Sequence, residues 1–397
     1  MAPRNEDIND DIDALISQLN ASAGPAKATD GVLRLETLLE SVVKARGSDL
    51  LLVADGPPAI RVDGKIVRLN GPALSGYDVE EVVIPLLPAH AKQLYQSNNA
   101  ADASLRIEGL GRFRVNLHRE RGRPAAAVRV LPARVPKLAE LNLPPEVSAL
   151  STLTRGLVLV GGATGAGKTT TVAALIDEIN RRDARHIITV EDPIEYEHTH
   201  GSCVVEQVEI GIDAPDFPAA LRAAVRQAPD VLVIGEMRDH ESMRIALAAA
   251  ETGHLVFSSL HTTDIASTIA RICDSFPNER QNTIRQELSL AVSAVMTQTL
   301  VPKAGTATAA GATSETTATA GRVPAVELLM VSYGARQHIR KNTLQHLHQE
   351  MSITRKQGSI TLEDSLGRLV KSGQITRAEA VAQAAHPDEL ESILAAT

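Results

Sequence analysis

Aromatic residues and cysteines are scarce in this chain. Of its 397 residues, 2% are aromatic, none is tryptophan, and two are cysteine, Cys203 and Cys273. The two cysteines are far apart in the sequence and neither belongs to a C-x-x-C pair. The sequence therefore predicts neither a zinc cluster nor a disulfide framework, and we expect both thiols to be reduced and structural.

Excess positive charge and long apolar runs are also missing. The formal net charge is −8, and nucleic-acid-binding chains usually need a basic groove and stacking aromatic rings, so no nucleic-acid partner is expected. The first residues, MAPRNEDINDDIDALI, are acidic where a secretory signal would be basic and apolar. No stretch reaches the roughly 18 apolar residues of a membrane-spanning helix. These absences predict a cytoplasmic protein that reaches a membrane only through partners.

What is present is a globular composition whose pattern changes along the chain. Apolar residues make up 44% and charged residues 22%, and the length favours two domains. Residues 1–30 combine acids with small residues, which predicts a disordered acidic extension. Helical and alternating patterns over 31–133 predict an α+β domain, and prolines between residues 132 and 145 indicate a linker over 134–148. From residue 149 to 397 strands and helices alternate, which predicts a mostly parallel α/β sheet with helices on both faces.

The last hundred residues begin with a low-complexity segment. Residues 304–320 (AGTATAAGATSETTATA) contain little but Ala, Thr and Gly, and such a segment cannot bury enough surface to offset its ordering entropy. We interpret it as a mobile surface loop. The pattern then predicts a strand over Val323–Val331 and a helical bundle over 333–397. The predicted helices are Gly334–Lys341, Leu344–Thr354, Thr361–Lys371 and Thr376–Ala385.

The residues from Gly162 to Thr169 (GATGAGKT) have the spacing of a triphosphate-binding loop. They follow a buried strand predicted over 156–160 and precede a helix predicted over 167–180, which is the context that a true site requires. Backbone N–H groups would turn toward phosphate oxygens, Lys168 would meet the β- and γ-phosphates, and the Thr169 hydroxyl would meet Mg²⁺. We therefore predict that the chain binds ATP and Mg²⁺. The predicted binding residues are Gly162, Ala163, Thr164, Gly165, Ala166, Gly167, Lys168, Thr169 and Thr170.

Two further predicted strands bring carboxylates to the same edge of the sheet. The segment DVLVIGE ends in Glu236, the expected magnesium partner, whereas Asp230 at its other end is expected to start or cap the strand. Another candidate strand, earlier in the chain, ends in Glu191-Asp192-Pro193. Either Glu191 or Asp192 could orient or deprotonate the attacking water. Each acid alone fits an exposed loop position equally well. Their shared edge favours the functional interpretation.

A strand predicted over 254–260 supplies the third candidate set. It ends in His261-Thr262-Thr263, and an imidazole at this edge could sense the γ-phosphate. A lone histidine is more often structural. The roles of His254 and His261 therefore depend on the motifs around them.

Four motifs occur in a fixed order along the chain: GATGAGKTT, TVEDPIEYEH, DVLVIGEMRD and AAETGHLVFSSLHTTD. With them the chain resembles the secretion ATPase superfamily, and most closely the PilT-like ATPases that retract type IV pili. In that family these motifs are the P-loop, the aspartate box, the Walker B box and the histidine box. The segment SDLLLVADGPPAIRVDGK resembles the family's PAS-like module. The resemblance runs from about Leu33 nearly to the C-terminus and implies a PAS-like domain followed by a RecA-like P-loop ATPase core.

The resemblance also implies roles for individual residues. Glu191 would be the catalytic glutamate that polarises water, Glu236 would act through magnesium, and His254 and His261 would report on the nucleotide. The segments GRFRVN and RGRPAAAVR stand where the family supplies arginines to a neighbouring active site. A guanidinium there would stabilise the charge that phosphoryl transfer develops. Each of these arginines alone fits a surface salt bridge equally well; they are Arg114, Arg121 and Arg129.

The function that the resemblance implies is pilus retraction by a homo-hexamer. ATP hydrolysis would pull on a platform protein at the inner face of the cytoplasmic membrane, with a paralogous retraction ATPase as a further partner. The family's AIRNLIRE segment, tied to retraction, is GARQHIRK here, so both a main motor and a PilU-like accessory stay open. A pilus assembly or type II secretion ATPase is disfavoured, because those relatives usually carry a tetracysteine zinc insertion. The net charge disfavours a nucleic-acid translocase on the same core. The full set of acids and arginines disfavours a scaffold that only binds nucleotide.

Overall fold

The computed structural model describes residues 34–305 and 321–396. They form two compact units, one over residues 34–133 and one over the described residues from 134 onward. The predictions for the acidic extension, and for the Ala/Thr-rich loop from residue 306 onward, lie outside the described residues. Across these described ranges, the helices are all too short or too polar to cross a bilayer.

The N-terminal unit is a six-stranded antiparallel sheet with helices packed on one face. Its strands lie in the order β3-β2-β1-β6-β5-β4. The helices are α1 (Leu35–Lys44), α2 (Gly76–Val83) and α3 (Ala89–Asn98), and a 3₁₀ turn covers Ile84–Leu86. The strands are β1 (Asp49–Val53), β2 (Ala59–Val62), β3 (Lys65–Arg68), β4 (Ala100–Ile107), β5 (Gly111–Glu120) and β6 (Arg123–Val130). The sequence pattern predicts one helix over Tyr77–Gln96, but Pro85 and Pro88 lack the N–H that a continuous helix needs and divide it in two.

Strand β5 shows why only one face of this sheet is covered. Phe113, Val115 and Leu117 are fully buried in the core with α1 and α2, whereas the residues between them are polar. Successive side chains of a strand point to opposite faces, so this alternation buries one face and exposes the other. The polar face carries two of the predicted arginines, Arg114 and Arg129, directly opposite each other on β5 and β6.

The second unit is built on a seven-stranded sheet in the order β13-β12-β7-β11-β10-β8-β9. Its neighbouring strands are parallel except for the pair β12 and β13, which confirms the mostly parallel α/β sheet. The strands are β7 (Gly156–Gly161), β8 (His186–Glu191), β9 (Val204–Glu209), β10 (Val231–Ile234), β11 (Leu255–Leu260), β12 (Val292–Pro302) and β13 (Arg322–Met330). The helices between them are α4 (Lys168–Arg182), α5 (Phe217–Ala224), α6 (His240–Glu251), α7 (Ile265–Asp274) and α8 (Asn278–Ala291).

Helices cover both faces of this sheet. Leu157 and Leu159 of β7 belong to one apolar core with α5, α6, α7 and α8, whereas Val158 and Val160 belong to another core with α4. Since alternate strand residues point to opposite faces, the two cores lie on opposite sides of the sheet. This arrangement confirms the RecA-like layering and places the strand ends at an open edge.

The predicted linker over 134–148 is packed structure in this unit. It contains a 3₁₀ helix at Leu138–Leu141 and the start of another at Pro145–Thr152, in which Val147 and Leu150 are fully buried in the core with α4. Pro145 stands at the first position of the second 3₁₀ helix, where a missing N–H costs no intrahelical hydrogen bond.

The C-terminal part is helical, as predicted, with one additional helix. The helices are α9 (Tyr333–Arg340), α10 (Leu347–Ile353), α11 (Leu362–Lys371), α12 (Arg377–Gln383) and α13 (Pro387–Ala395), with short 3₁₀ helices at Leu344–His346 and Arg355–Gln357. Capping boxes at Thr361 and Thr376 start α11 and α12. The additional helix is α13, which was not predicted, although Pro387 and the acids after it are typical of a helix start.

Candidate active site

The glycine loop lies between β7 and α4. Gly162 has φ 153°, a conformation that side-chain-bearing residues rarely adopt, and a Cβ there would meet the Gln298 carbonyl oxygen at 2.6 Å. Lys168 and Thr169 open α4, and a helix N-terminus attracts anions through its N–H groups and its dipole. The loop therefore has the shape and polarity of a phosphate cradle.

Lys168 lies folded against the loop that precedes it. Its Nζ donates hydrogen bonds to the carbonyl oxygens of Gly162 at 2.8 Å and Ala163 at 3.0 Å, and the residue is 7% exposed. The ammonium group is thus held inside the cradle, where a triphosphate would contact it.

Gln298 on β12 holds the glycine loop through hydrogen bonds. It was not predicted as a site residue. Its Nε2 donates to the carbonyl oxygen of Ala166 at 2.6 Å, while Thr171 Oγ1 donates to its Oε1 at 2.8 Å. No local signal identifies this residue, because its role depends on β12 pairing with β7.

Replacing this amide should loosen the loop. We expect Gln298→Met to lower the free energy of unfolding by about 1–3 kcal/mol, because the Ala166 carbonyl and the Thr171 hydroxyl would lose their partner in a buried place. ADP affinity should fall with it. Denaturant titration and ADP titration measure the two effects. Thr171→Val removes the Thr171–Gln298 hydrogen bond from its other end. If the Gln298→Met/Thr171→Val double variant lost as much free energy of unfolding as the two single variants together, the two residues would not be coupled and the prediction would fail.

Two neighbouring strands bring Glu191 and Glu236 to the edge that carries the loop. In the parallel register of β8 and β10, Val190 lies beside Ile234, and Gly235 N donates to the Val190 carbonyl oxygen at 2.9 Å. Glu191 ends β8, and Glu236 follows β10 by two residues. The shared edge that the sequence predicts for the two carboxylates is thus present.

Glu191 is a largely buried carboxylate with two side-chain donors. Its Oε1 accepts hydrogen bonds from Thr189 Oγ1 at 2.7 Å and from Gln207 Nε2 at 3.2 Å. Burial raises its pKa to about 7, with a further increase from the nearby charge of Glu195, and these hydrogen bonds offset only part of that rise. A carboxylate with such a pKa can accept a proton near neutral pH, as a general base must.

Glu236 is linked to the glycine loop through His261. His261 Nε2 lies 3.3 Å from Glu236 Oε2, and its Nδ1 lies 3.4 Å from Thr164 Oγ1. Arg238 forms an ion pair with the same glutamate. His261 follows β11 and Thr164 belongs to the loop, so this chain of contacts joins three segments of the sheet edge. Arg238 was not predicted as a site residue, although it lies within the motif DVLVIGEMRD.

His254 and Asp230 lie at the opposite edge of the sheet. His254 immediately precedes β11, and its carbonyl oxygen accepts the N–H of Gly156 at the start of β7. The full length of β11 separates it from the loop, about 20 Å at the usual rise of a strand. His254 therefore lies away from the glycine loop of its own subunit, and its role in reporting on the nucleotide stays a prediction. Asp230 accepts the His186 N–H at 2.8 Å, as expected of a residue that starts a strand.

The three predicted arginines belong to the N-terminal unit. Each is well exposed, with side-chain exposures of 43% for Arg114, 80% for Arg121 and 47% for Arg129. Arg129 Nε lies 3.0 Å from Asp49 Oδ1, and Arg114 Nε lies 3.8 Å from Asp102 Oδ1. Arg121 is in the turn between β5 and β6, beside Glu120. All three side chains are thus solvent-facing, and each lies beside a carboxylate.

Both cysteines are buried thiols, as expected, and they lie in the two cores on opposite sides of the sheet. Burial raises the pKa of Cys203, and raises that of Cys273 to about 11. Neither is poised to act as a nucleophile or metal ligand at neutral pH.

A glycine loop, two carboxylates and a histidine at one edge of a parallel sheet define a P-loop nucleotide hydrolase with a RecA-like core. Residues 124–382 match the family described as type II/IV secretion system protein. The chain belongs to this family and, within it, to the PilT/PilU-like group, so it is an ATPase.

Three relatives support this assignment. The type IV pilus retraction ATPase PilT of Pseudomonas aeruginosa is 38% identical over 88% of this chain and 98% of its own length. The type IV pilus ATPase PilU of the same organism is 35% identical over 90% of each chain. A crystal structure of the pilus retraction motor PilT with bound ADP superimposes with a TM-score of 0.80 at 40% identity, over 91% of this chain and 99% of that one. The ADP-bound relative also supports the use of an adenine nucleotide.

Proposed function

We propose that this ATPase is a motor that retracts type IV pili, working as a homo-hexamer on a platform protein at the inner face of the cytoplasmic membrane. The observation that carries the proposal is the nearly full-length match to PilT, through both units of the chain. A pilus assembly or type II secretion ATPase is the second candidate. The chain offers only two cysteines, buried in separate cores, for the zinc insertion usual in that group.

The residues at the sheet edge fit a magnesium nucleotide. Thr169 lies in the first turn of α4, and Glu236 follows β10 of the same sheet. A hydroxyl and a carboxylate both supply oxygen ligands, which Mg²⁺ prefers. The ion would neutralise charge on the phosphate oxygens. Lys168 would hold the β- and γ-phosphates, and Glu191 would orient the attacking water and accept its proton.

His261 would connect the phosphate-binding loop to the magnesium ligand Glu236. It contacts both Thr164 of the loop and Glu236, so a change in the phosphates would alter its contacts. Arg114, Arg121 and Arg129 would complete the site of a neighbouring subunit, where a guanidinium stabilises the transition state. In this proposal each active site is shared between two subunits of the ring.

The chain could serve as the main motor or as a PilU-like accessory, and the segment GARQHIRK bears on this question. It forms most of α9, with Ala335 and Ile339 buried and Tyr333 78% exposed. The amphipathic outline of the family's retraction segment is therefore kept as a helix, which favours a retraction role of either kind.

Deleting the gene and observing single filaments tests the proposal. We expect excess surface pili that no longer shorten if the chain is the main motor, and shortening that fails only under load if it is the accessory. Wild-type complementation should restore retraction, whereas a Lys168→Ala chain should not, because the triphosphate would lose its cation. Unchanged pilus number and retraction after deletion would contradict the proposal. Loss of pili would favour the assembly ATPase, and DNA-stimulated hydrolysis would favour a translocase.

A further inference from the structure

Three potential metal ligands from different helices meet in the C-terminal part. His348 lies on α10, Glu363 on α11 and Glu389 on α13, and one ligand atom from each lies within 4.8 Å of the other two. His348 Nε2 is 2.7 Å from Glu389 Oε2. The ring of His386 lies beside that of His348, with centroids 4.0 Å apart. This cluster is separate from the nucleotide site and has no role in the function proposed above.

Glu363 is the unusual member of the cluster. The residue is 0% exposed, and its Oε1 accepts the N–H of His386 at 2.7 Å. Its Oε2 is also buried and has no hydrogen-bond partner among the residues that the structure describes. A buried carboxylate oxygen without a donor is costly and rare in folded proteins, so its position calls for a cation.

The charges around the cluster support the same conclusion. Arg355 donates from Nη2 to Glu389 Oε1 at 2.9 Å and from Nε to Asp364 Oδ2 at 2.7 Å. One guanidinium is thus shared by two carboxylates and Glu363 adds a third, so the cluster is acidic and suits a divalent cation. Arg355 also orients Glu389 so that its other oxygen faces His348, as an outer-shell partner of a metal ligand does.

We propose that His348, Glu363 and Glu389 bind a divalent transition-metal ion, and that Zn²⁺ is the ion that fits them best. One imidazole nitrogen and carboxylate oxygens are ligands that Zn²⁺ accepts in a tetrahedral site, with the fourth position left for water. Imidazole disfavours Mg²⁺ and Ca²⁺, which prefer oxygen ligands alone. On binding, His348 Nε2 would coordinate as the neutral ring, and any proton it carries toward Glu389 would pass to solvent.

The packing around the cluster indicates what the ion would do. Leu390 of α13 is fully buried, and α13 lies so close to α11 that a Cβ on Gly367 would meet Ile393 Cγ2 at 2.6 Å. The ligands come from α10, α11 and the first turn of α13. A bound ion would therefore clip the last helix of the chain to the two helices before it.

Zinc binding to the full-length, chelator-stripped protein tests the proposal. With ADP and Mg²⁺ present to occupy the nucleotide site, we expect one Zn²⁺ per subunit after gel filtration, measured by mass spectrometry of the metal, and a rise in melting temperature. The buried cysteines, whose thiol pKa values are raised, should not compete. His348→Ala and Glu389→Gln should each weaken binding by at least about tenfold, since losing even an outer-shell partner costs roughly 10- to 100-fold.

Two further variants separate metal binding from a purely structural role. Glu363→Gln keeps the size of the side chain and an acceptor for His386, so without Zn²⁺ its melting temperature should equal or exceed that of the wild type, and its zinc-dependent rise should be lost. His346→Ala changes the other histidine pair, whose rings are 5.3 Å apart, and should bind Zn²⁺ normally. The proposal fails if the wild type binds no Zn²⁺ under these conditions, or if the His348 and Glu389 variants bind as well as His346→Ala.

Discussion

Glu191→Gln should lower ATP turnover by about 10²- to 10⁴-fold, the usual contribution of a general base. The amide keeps the size of the side chain and can still accept from Thr189 and Gln207, which both bind Oε1. It cannot take a proton from water. Nucleotide affinity should therefore stay nearly unchanged, because Glu191 lies on β8 and not in the loop that holds the phosphates. Steady-state hydrolysis and equilibrium ADP binding, measured on the same preparation, separate the two effects.

The raised pKa of Glu191 adds a pH test to this prediction. Burial moves the pKa to about 7 in the folded protein, so wild-type turnover should decline as the pH falls below about 7 and the base becomes protonated. Glu195 contributes to the rise through its charge. Glu195→Gln should therefore keep turnover and move the midpoint of the profile to lower pH. A Glu191→Gln protein that hydrolyses ATP at the wild-type rate would show that another group is the base.

The same pKa shift predicts that stability changes with pH in the direction opposite to turnover. Because the folded pKa lies above that of an exposed glutamate, the folded state holds the extra proton between about pH 4 and 7, and the free energy of unfolding falls as the pH rises through this range. Above pH 7 the buried charge is fully present. Glu191→Gln should then raise the free energy of unfolding at pH 8 by up to about 2 kcal/mol, measured by denaturant titration. A variant that is more stable and inactive is typical of a functional residue held in an unfavourable environment.

The sequence allowed the strand ends of this site to be predicted because parallel strands deliver their final residues to one edge. Glu191, Glu236 and His261 each follow an apolar strand segment, and the glycine loop follows a fourth. The same reasoning explains why His254 lies away from the loop. It belongs to the same motif as His261, but it lies at the other end of β11, and membership of a motif does not specify the edge.

The supporting residues could not be predicted in this way. Gln298 binds a loop more than a hundred positions earlier, and Gln207 reaches Glu191 from the edge strand β9. Glu327 on β13 accepts a hydrogen bond at 3.2 Å from the N–H of Ile265, the first residue of α7. Burial raises the pKa of Glu327 to about 7. Each role depends on which strands become neighbours, and local patterns along the chain do not contain that information. The zinc ligands are likewise brought together by helix packing.

Mutating the arginines of the N-terminal unit should reduce turnover as severely as mutating Glu191. Arginine fingers contribute about 10³- to 10⁵-fold to phosphoryl transfer, and we expect at least one of three single variants to show a loss of this size; they are Arg114→Ala, Arg121→Ala and Arg129→Ala. Arg61→Ala is the matched control. Its Nε lies 3.4 Å from Asp49 Oδ2, so it contacts the same carboxylate as Arg129 but was not predicted to reach a phosphate. If Arg61→Ala were equally inactive, the loss would reflect a damaged sheet face.

Mixing two inactive proteins then decides whether the arginine acts on a neighbouring subunit. A Lys168→Ala subunit has an intact arginine and no functional loop, whereas an arginine variant has an intact loop and no finger. If the arginine acts across the subunit interface, a ring that contains both kinds has some sites with an intact loop and an intact finger, and hydrolysis should reappear on mixing. If the arginine acts within its own subunit, every site in the mixed ring lacks one group. Mixed rings that form, as shown by co-purification of differently tagged subunits, but stay inactive would therefore rule out the shared site.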